Sequence, residues 1–368
     1  MTLSQFSASS EKAASASAIK PMSVTEKNVL LVGNFFCSSI GARGVCEDLA
    51  EQLAGNGWTV YTTSLKKNRP ARLVDIVTTV WRLRRDYGVA HVDVYSGAAF
   101  MWAEAACWAL RRVKKPYVLT LHGGDLPEFS RRWQGRVIRL LRSAEVVTSP
   151  SRYLRDQMKS YREDLQLMPN PLDLKQYPFR LREAPKPNLL WLRAFHSIYN
   201  PSLAPRVIAE LVKDFPDLRL TMVGPDKGDG SLQETQRVAG EMRVANHISF
   251  VGGVPKSEVP QRLSHADIFL NTTNVDNTPV SVLEAMACGL CVINTNVGGI
   301  PYMLRNEHDA LLVAPNNARE MATAIRRVLC DPGLAARLSF NARREVEQFD
   351  WSAIFPSWQK IFLRLLLS

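Results

Sequence analysis

Two acidic residues, Asp276 and Glu284, flank the predicted start of a helix in the stretch DNTPVSVLEAMACGLCVINTNVGGIP (276–301). Thr278 fits a helix N-cap, and Pro279 fits the first helical position, where its missing N–H costs nothing. The free amides and the positive dipole of a helix N-terminus bind phosphate. Acids on either side of such a cradle suit the hydroxyl groups of two sugars joined by a diphosphate. The pattern therefore predicts a nucleotide-sugar site, and the alternative is a loop acid followed by a solvated helix residue.

Three further candidates directly follow predicted strands. Arg193 ends NLLWLR, where a guanidinium can neutralise a diphosphate, although a surface arginine in a basic chain is the alternative. His122 follows YVLTL and precedes Gly-Gly, a placement that favours a functional histidine over a structural one. Gly224 opens a loop that carries Lys227, and this loop fits either a close approach to a nucleotide or an ordinary turn.

Short apolar runs alternate with helical patterns, which indicates βαβ units around parallel sheets. Five prolines in 168–188 mark a linker between two such α/β halves. Ligands of open parallel sheets bind beyond the carboxyl ends of the strands, so two facing sheets would form a deep cleft lined by these candidates. The sequence predicts four parts: a flexible tail at 1–25, a first domain at 26–175, a second domain at 176–345, and a helix at 346–368 that packs back on the first domain. Strands are predicted at 28–32, 59–63, 91–95, 117–121, 145–149, 165–169, 188–192, 218–223, 247–251, 267–271, 291–295 and 310–314.

The stretch 276–301 resembles the motif of the retaining family 4 glycosyltransferases, in which two acids separated by seven residues precede an EAMA run. The resemblance extends over about residues 28–350 and includes the stretch 248–273, ISFVGGVPKSEVPQRLSHADIFLNTT. It implies the GT-B fold, an α/β architecture in which two Rossmann-like domains face a central cleft. It also implies transfer of a sugar from a nucleotide-diphosphate sugar to a hydroxyl acceptor with retained configuration. By the same resemblance, neither a metal nor another cofactor is required.

The resemblance also assigns roles to individual residues. Glu284 would hold the ribose, and Asp276 would lie beside the transferred sugar, where the family has the longer glutamate. Arg193 would bind the diphosphate, and Asn200 stands near the position of a lysine that usually shares this task. His122 would contact the C6 hydroxyl of the transferred sugar. The predicted donor-binding set is completed by Gly41, Ala42, Gly224, Thr278, Pro279 and Val280.

The composition narrows the class of protein and its location. The chain has 368 residues and a formal net charge of +11, which favours an anionic partner. Its six cysteines are scattered, a distribution that favours a reducing compartment. Residues 1–25 lack the apolar run of a signal peptide, and no later run is long enough to span a membrane. We therefore expect a cytoplasmic protein, and no nucleic-acid-binding motif accompanies the positive charge.

The segment SRRWQGRVIRLLRS (130–143) interleaves five arginines with apolar residues. A basic amphipathic helix of this kind can lie on an anionic membrane, at the inner face for a cytoplasmic protein. It can equally cover a sheet and turn its arginines to solvent. Because many acceptors of such enzymes are glycans or lipid-linked glycans, both interpretations stay open. Ser96 and Gly97, which follow HVDVY, are lesser candidates for acceptor contact.

Two observations argue against the simplest functional assignments. Cys288 and Cys291 have CxxC spacing, but a zinc site needs further ligands, so we interpret the pair as packing residues. Asn200 in place of a lysine and Asp276 in place of a glutamate are also compatible with a catalytically inactive GT-B-like binding or scaffold subunit. This is the alternative to an active transferase.

Overall fold

The computed structural model describes residues 27–33, 35, 44–66, 68–123 and 125–367. These residues form two six-stranded sheets, and the strand pairings in both are parallel. The predicted α/β class with two sheets is confirmed. The sheets lie on either side of the proline-rich linker, while the predicted domain boundaries at 175/176 and 345/346 stay predictions.

The first sheet has the strand order β2-β1-β3-β4-β5-β6. Its central strands are buried along their whole length, as expected for a parallel sheet covered by helices on both faces. The strands are β1 (Asn28–Val32), β2 (Thr59–Thr63), β3 (Val89–Val94), β4 (Tyr117–Leu121), β5 (Val146–Ser149) and β6 (Gln166–Leu167). The helices are α1 (Val45–Gly55), α2 (Arg69–Arg82), α3 (Phe100–Arg112), α4 (Leu126–Arg132), α5 (Gln134–Arg142) and α6 (Arg152–Met158).

The second sheet has the order β12-β11-β10-β7-β8-β9. Its strands are β7 (Asn188–Leu192), β8 (Arg219–Val223), β9 (Ile248–Gly252), β10 (Ile268–Asn271), β11 (Cys291–Thr295) and β12 (Leu311–Val313). Its helices are α7 (Leu203–Leu211), α8 (Ser231–Glu241), α9 (Val259–Ser264), α10 (Val280–Ala287), α11 (Ile300–Met303), α12 (Ala318–Cys330) and α13 (Pro332–Val346).

The last helix, α14 (Trp351–Leu367), returns to the first sheet. Its buried residues Trp358 and Phe362 share a core cluster with Val29 and Leu31 of β1. Phe362 also meets the ring of Trp58 edge-on, with 5.6 Å between the centroids. The prediction that the C-terminal helix packs back on the first domain is therefore confirmed.

Two local predictions are wrong. The helix expected to begin at Pro279 begins at Val280, because Pro279 is extended (ψ 115°) and takes the N-cap position instead of Thr278. The single helix expected at 130–143 is broken at Trp133, whose backbone leaves the helical region (φ −123°, ψ 40°) between α4 and α5.

Candidate active site

The strand order brings two of the candidate residues together. In the second sheet, β7 and β10 are neighbours, and the chain leaves them toward opposite edges of the sheet. Such a switch point opens a crevice beyond the carboxyl ends of the strands. Arg193 directly follows β7 and Asp276 lies in the loop after β10, and the Arg193 guanidinium donates a hydrogen bond to the Asp276 carboxylate. Residues that lie 83 positions apart in the sequence thus form one ion pair.

The side chain and the main chain of Arg193 both contact neighbouring residues. Its guanidinium carbon lies 4.1 Å from the centre of the Tyr199 ring, within the range of a cation–π contact. Its main chain packs against Gly224, where an added Cβ would lie 1.7 Å from the Arg193 carbonyl oxygen. This close approach accounts for the glycine without a ligand, and a contact of Gly224 with the donor stays a prediction. The buried Nε of Arg193 has no hydrogen-bond partner among the described residues.

The start of α10 offers unused polar groups. The first intrahelical hydrogen bond is donated by the amide of Val282 to the carbonyl of Pro279, so the amides of Val280 and Ser281 precede the helical ladder. The hydroxyl oxygens of Thr278 and Ser281 are buried, and neither has a partner among the described residues. Amides and hydroxyls that converge at a helix N-terminus can bind a phosphate group.

Glu284 lies inside α10 and is 5% exposed, which contradicts the interpretation of this residue as solvated. The Tyr177 hydroxyl donates a hydrogen bond of 2.8 Å to its carboxylate. Burial raises the pKa of Glu284, while Lys256, the Tyr177 hydrogen bond and Arg193 act in the opposite direction. The carboxylate is thus largely desolvated and has two cations close enough to influence its titration.

Asp276 is also largely buried, and nearby groups also influence its pKa. Burial raises the pKa of its carboxyl group, and the charge of Arg193 together with the Asn277 amide opposes this rise. That amide donates a hydrogen bond of 2.9 Å to Oδ1 of Asp276. The neighbouring side chain of Asn277 accepts a hydrogen bond from the Ser151 hydroxyl, which ties this loop to the first domain.

His122 lies at the carboxyl end of β4 in the first sheet and is buried. Its Nε2 lies 3.0 Å from Oδ1 of Asp93 on the adjacent strand β3, and its ring stacks on Tyr95 with 4.9 Å between the centroids. Burial favours a raised pKa for Asp93, but the charge and hydrogen bond of His122, with a smaller effect of His91, bring it below the usual range. A carboxylate at Nε2 fixes the proton there and leaves Nδ1 as the other polar atom of the ring.

Asn200 occupies a strained position (φ 46°) at the end of a short 3₁₀ turn. Its side-chain amide donates a hydrogen bond of 2.7 Å to Asn316, and it brings no charge to the site. A cation that does act on the site is Lys256, whose charge influences Glu284 from the turn that precedes α9. Gly41 and Ala42 lie outside the described residues.

Three residues that contribute to the candidate site were not predicted from the sequence. Tyr177 lies in the proline-rich linker, where no pattern predicts a partner for Glu284. Lys256 is one of many lysines in a basic chain. Asp93, in contrast, stands in the middle of the apolar strand HVDVY, and a buried acid in a parallel strand was a signal that could have found it.

The Cys288–Cys291 pair belongs to the packing of the second domain. Both side chains are buried, and burial raises the pKa of the Cys288 thiol to about 11 and that of Cys291 to about 12. Neutral thiols of this kind are poor metal ligands and poor nucleophiles. The interpretation as packing residues is consistent with this environment.

The fold and the strand-end site define a GT-B glycosyltransferase, and comparison with known families agrees. The model of the family described as "Glycosyl transferases group 1" matches residues 177–345, and that of "Glycosyltransferase Family 4" matches residues 41–176. The two models match adjoining parts of the chain and identify it as a glycosyltransferase, and the inactive-scaffold alternative is not favoured.

Curated relatives carry the same activity class. A GDP-mannose-dependent alpha-(1-6)-phosphatidylinositol monomannoside mannosyltransferase of Mycolicibacterium smegmatis is 26% identical over 83% of this chain and 84% of its own length. A D-inositol 3-phosphate glycosyltransferase of Rhodococcus jostii is 24% identical over 78% of this chain and 69% of its own.

Solved structures show the same fold. Sucrose-phosphate synthase from Thermosynechococcus elongatus superposes with a TM-score of 0.73 at 20% identity, covering 93% of this chain and 99% of that one. HepE of Anabaena, solved in complex with UDP, gives a TM-score of 0.73 at 17% identity, covering 92% of this chain and all of that one.

Proposed function

We propose that this glycosyltransferase moves a sugar from a nucleotide-diphosphate sugar to a hydroxyl group of a glycan or lipid-linked glycan, with retention of configuration. The observation that carries the proposal is the convergence of Arg193 with the start of α10. The half-buried Arg193 guanidinium binds Asp276 in the loop before α10, and the first amides of α10 and two buried hydroxyls there have no partner among the described residues. This set is complementary to a diphosphate leaving group.

The chemistry we propose is stabilisation of the leaving group. As the glycosidic bond breaks, negative charge develops on the diphosphate, and Arg193 with the α10 amides would meet that charge in a desolvated site. Glu284 would accept hydrogen bonds from the ribose hydroxyls. His122 would orient the transferred sugar, and the acceptor hydroxyl would attack from the same face while a diphosphate oxygen takes its proton.

Asp276 has a second task in this scheme. Because Asp276 accepts a hydrogen bond from Arg193, a diphosphate bound to Arg193 would share or displace that contact. The released carboxylate would then be free to bind the transferred sugar. We therefore propose that donor binding rearranges this ion pair, a role that the shorter aspartate can fill.

We propose that no metal is needed. Arg193 and Lys256 supply positive charge close to the acids of the site, and the amides of α10 add to it. A chelator such as EDTA should then leave the rate unchanged, and restoration of a lost rate by Mg²⁺ or Mn²⁺ would contradict this part of the proposal.

Acceptor class and location are also part of the proposal. The curated relatives named above act on phosphatidylinositol mannoside or inositol phosphate, according to their names, and this supports a glycan or lipid-linked acceptor rather than nucleic acid. We propose that the enzyme works in the cytoplasm and touches the inner face of an anionic membrane. None of the described helices is both long and apolar enough to cross a membrane.

The structure of 130–143 limits how such contact could occur. Val137 and Leu141 of α5 are packed in the first core and cannot enter a bilayer. Arg136 is tied to Glu104 by a contact of 2.5 Å. The other arginines of the segment 130–143 are exposed. Contact of this segment with a membrane would therefore be electrostatic and would weaken with salt. The exposed arginines are Arg131, Arg132, Arg139 and Arg142.

The test begins with thermal unfolding of the protein with UDP-, GDP- and ADP-sugars, because a bound donor raises the melting temperature. The stabilising donor is then incubated with glycan and lipid-linked acceptors, and nucleotide release and the anomeric configuration of the product are measured by NMR. We expect one nucleotide class to stabilise the protein and the product to keep the donor's configuration. No stabilisation and no release across the panel would contradict the proposed function.

A further inference from the structure

We propose that the acceptor glycan binds in an open groove of about 520 Å³ on the first domain. This inference rests on the proposed function and names the acceptor site for that reaction. The groove lies between the turn after β3 and the junction of α4 with α5. Residues that line it include Ser96, Gly97, Met101, Asp125, Phe129 and Trp133.

The groove is formed by the loops that follow the two strands beside His122. Tyr95 stacks on His122, and the next residue along the chain, Ser96, lines the groove. His122 directly follows the neighbouring strand β4, and Asp125 lines the groove three residues later. The loops after β3 and β4 therefore both contribute residues to the groove wall. A glycan in the groove would present its terminal hydroxyl toward His122.

The outer part of the groove carries an exposed aromatic ring. Trp133 breaks the helix between α4 and α5 and remains 49% exposed, with its ring centre 6.5 Å from that of Phe129. The Arg136 guanidinium lies 5.3 Å from the Trp133 ring centre and is itself fixed by Glu104. Sugars present apolar C–H faces, and a fixed aromatic ring with accessible surface binds such faces at little entropic cost.

The polar groups beside this ring suit hydroxyls better than an acyl chain. Asp125 and Glu128 are exposed acids on the groove wall, and Arg132 lies 3.8 Å from Glu128. Carboxylates accept hydrogen bonds from hydroxyl groups, and a guanidinium donates to ring or hydroxyl oxygens. An acyl chain would offer these charged groups no hydrogen bonds. The mixture of one aromatic face with several hydrogen-bonding groups therefore favours a saccharide.

The chain offers a matched control for the aromatic ring. Trp108 on α3 is 45% exposed and has the Arg112 guanidinium 5.4 Å from its ring centre, but it does not line the groove. Replacing either tryptophan by alanine removes a similarly exposed indole that stacks against a guanidinium. Only Trp133 should matter for glycan binding.

The experiment is a titration of the full-length protein with methyl glycosides and disaccharides of glucose, mannose, galactose and N-acetylglucosamine, followed by saturation-transfer difference NMR. We expect at least one saccharide to bind the wild type and Trp108→Ala alike. Its dissociation constant should rise about tenfold or more in Trp133→Ala, and Trp133→Phe should recover most of the loss. Thermal unfolding checks that all variants are folded.

Three results would overturn the inference. These are binding of none of the saccharides to the wild type, equal weakening in both alanine variants, or Trp133-dependent binding of octanoate in place of sugars. The readout uses no donor, so failure here is separate from failure of the proposed function. The latter would appear as absence of nucleotide release from every donor sugar.

Discussion

The two halves of the cleft differ in how their polar groups are held. In the second domain, Arg193, Asp276 and Glu284 are largely buried and interact with one another or with close neighbours. In the first domain the His122–Asp93 pair is enclosed, whereas the groove presents exposed acids, arginines and Trp133. A leaving group needs charges fixed in advance in a dry site, whereas an acceptor site can be open and wet. The donor half is therefore where catalysis should be most sensitive to substitution.

The energetic state of the donor half supports this contrast. Burial raises the pKa of both Asp276 and Glu284, because a carboxylate loses hydration when it leaves water. The nearby cations Arg193 and Lys256 stabilise the ionised carboxylates and so oppose this rise in pKa. A site of this kind carries a cost in stability that a bound nucleotide sugar can offset, since the ligand's hydroxyls give the acids new donors.

The strongest test of the contrast is Arg193→Ala. Removal of the guanidinium takes away a charge that would stabilise the leaving diphosphate and leaves Asp276 buried without its cation. We expect kcat/KM for transfer to fall by about 10²–10³-fold, the usual effect of losing one preorganised group that stabilises the transition state. The control is Arg219→Ala, at the amino end of the adjacent strand β8, and its rate should match that of the wild type. A wild-type rate for Arg193→Ala would refute the site assignment.

Asp93→Asn tests whether the first-domain half also depends on a fixed group. The substitution keeps the size of the side chain but weakens the hydrogen bond that orients His122. Loss of a hydrogen bond to a charged group costs about 1.5–3 kcal/mol, so we expect kcat to fall roughly tenfold or more while KM for the donor changes little. Asp86→Asn, on an exposed turn after α2, provides the control. Equal kinetics for the two variants would show that His122 does not need Asp93.

Lys256→Met tests whether a second cation contributes to nucleotide binding in the donor half. Lys256 opposes the rise in the pKa of Glu284, and Asn200 brings no charge where the family has a lysine. Loss of one partly exposed cation near a diphosphate should weaken nucleotide binding by about five- to tenfold, an effect that shrinks at high salt. Isothermal titration with the stabilising nucleotide measures it, with the exposed Lys213→Met as control. A salt-independent or absent effect would remove Lys256 from the site.

Much of the donor half could be predicted because its residues follow regular elements. Alternating apolar runs located the strands, and the strand ends located Arg193 and His122. The motif around Glu284 placed it on the helix that starts at the cleft. The predictions failed where the backbone of one residue leaves the helical region: Pro279 rather than Thr278 is the N-cap of α10, and Trp133 divides the basic segment into two helices.

Partners distant in sequence could not be predicted. Tyr177 reaches Glu284 across 107 positions, and Ser151 reaches Asn277 across 126. No periodic pattern encodes such pairs, because they depend on how the two sheets and the linker are arranged in space. The acceptor groove has the same origin, since it forms between the turn after β3 and a helix break that local preference did not indicate.

The smallest effect is expected for stability in Glu284→Gln. The amide keeps an oxygen for the Tyr177 hydroxyl but removes a buried charge. Because the folded protein raises the pKa of Glu284 above its ordinary value of 4.5, the native state holds the proton more tightly than the unfolded chain does. Wild-type stability therefore falls as the pH rises above that value, and the glutamine variant escapes this fall.

At neutral pH we expect the free energy of unfolding of Glu284→Gln to be about 1 kcal/mol higher than that of the wild type, a typical size for one buried substitution. The difference should shrink as the pH falls toward about 4.5, because the native carboxyl group, with its raised pKa, takes up its proton before that pH is reached. Urea unfolding at several pH values measures it, with the exposed Glu163→Gln as control. The same variant should bind the nucleotide sugar more weakly, because the ribose loses a charged acceptor. A less stable variant at neutral pH would mean that Lys256 and Arg193 stabilise the Glu284 carboxylate by more than its burial costs.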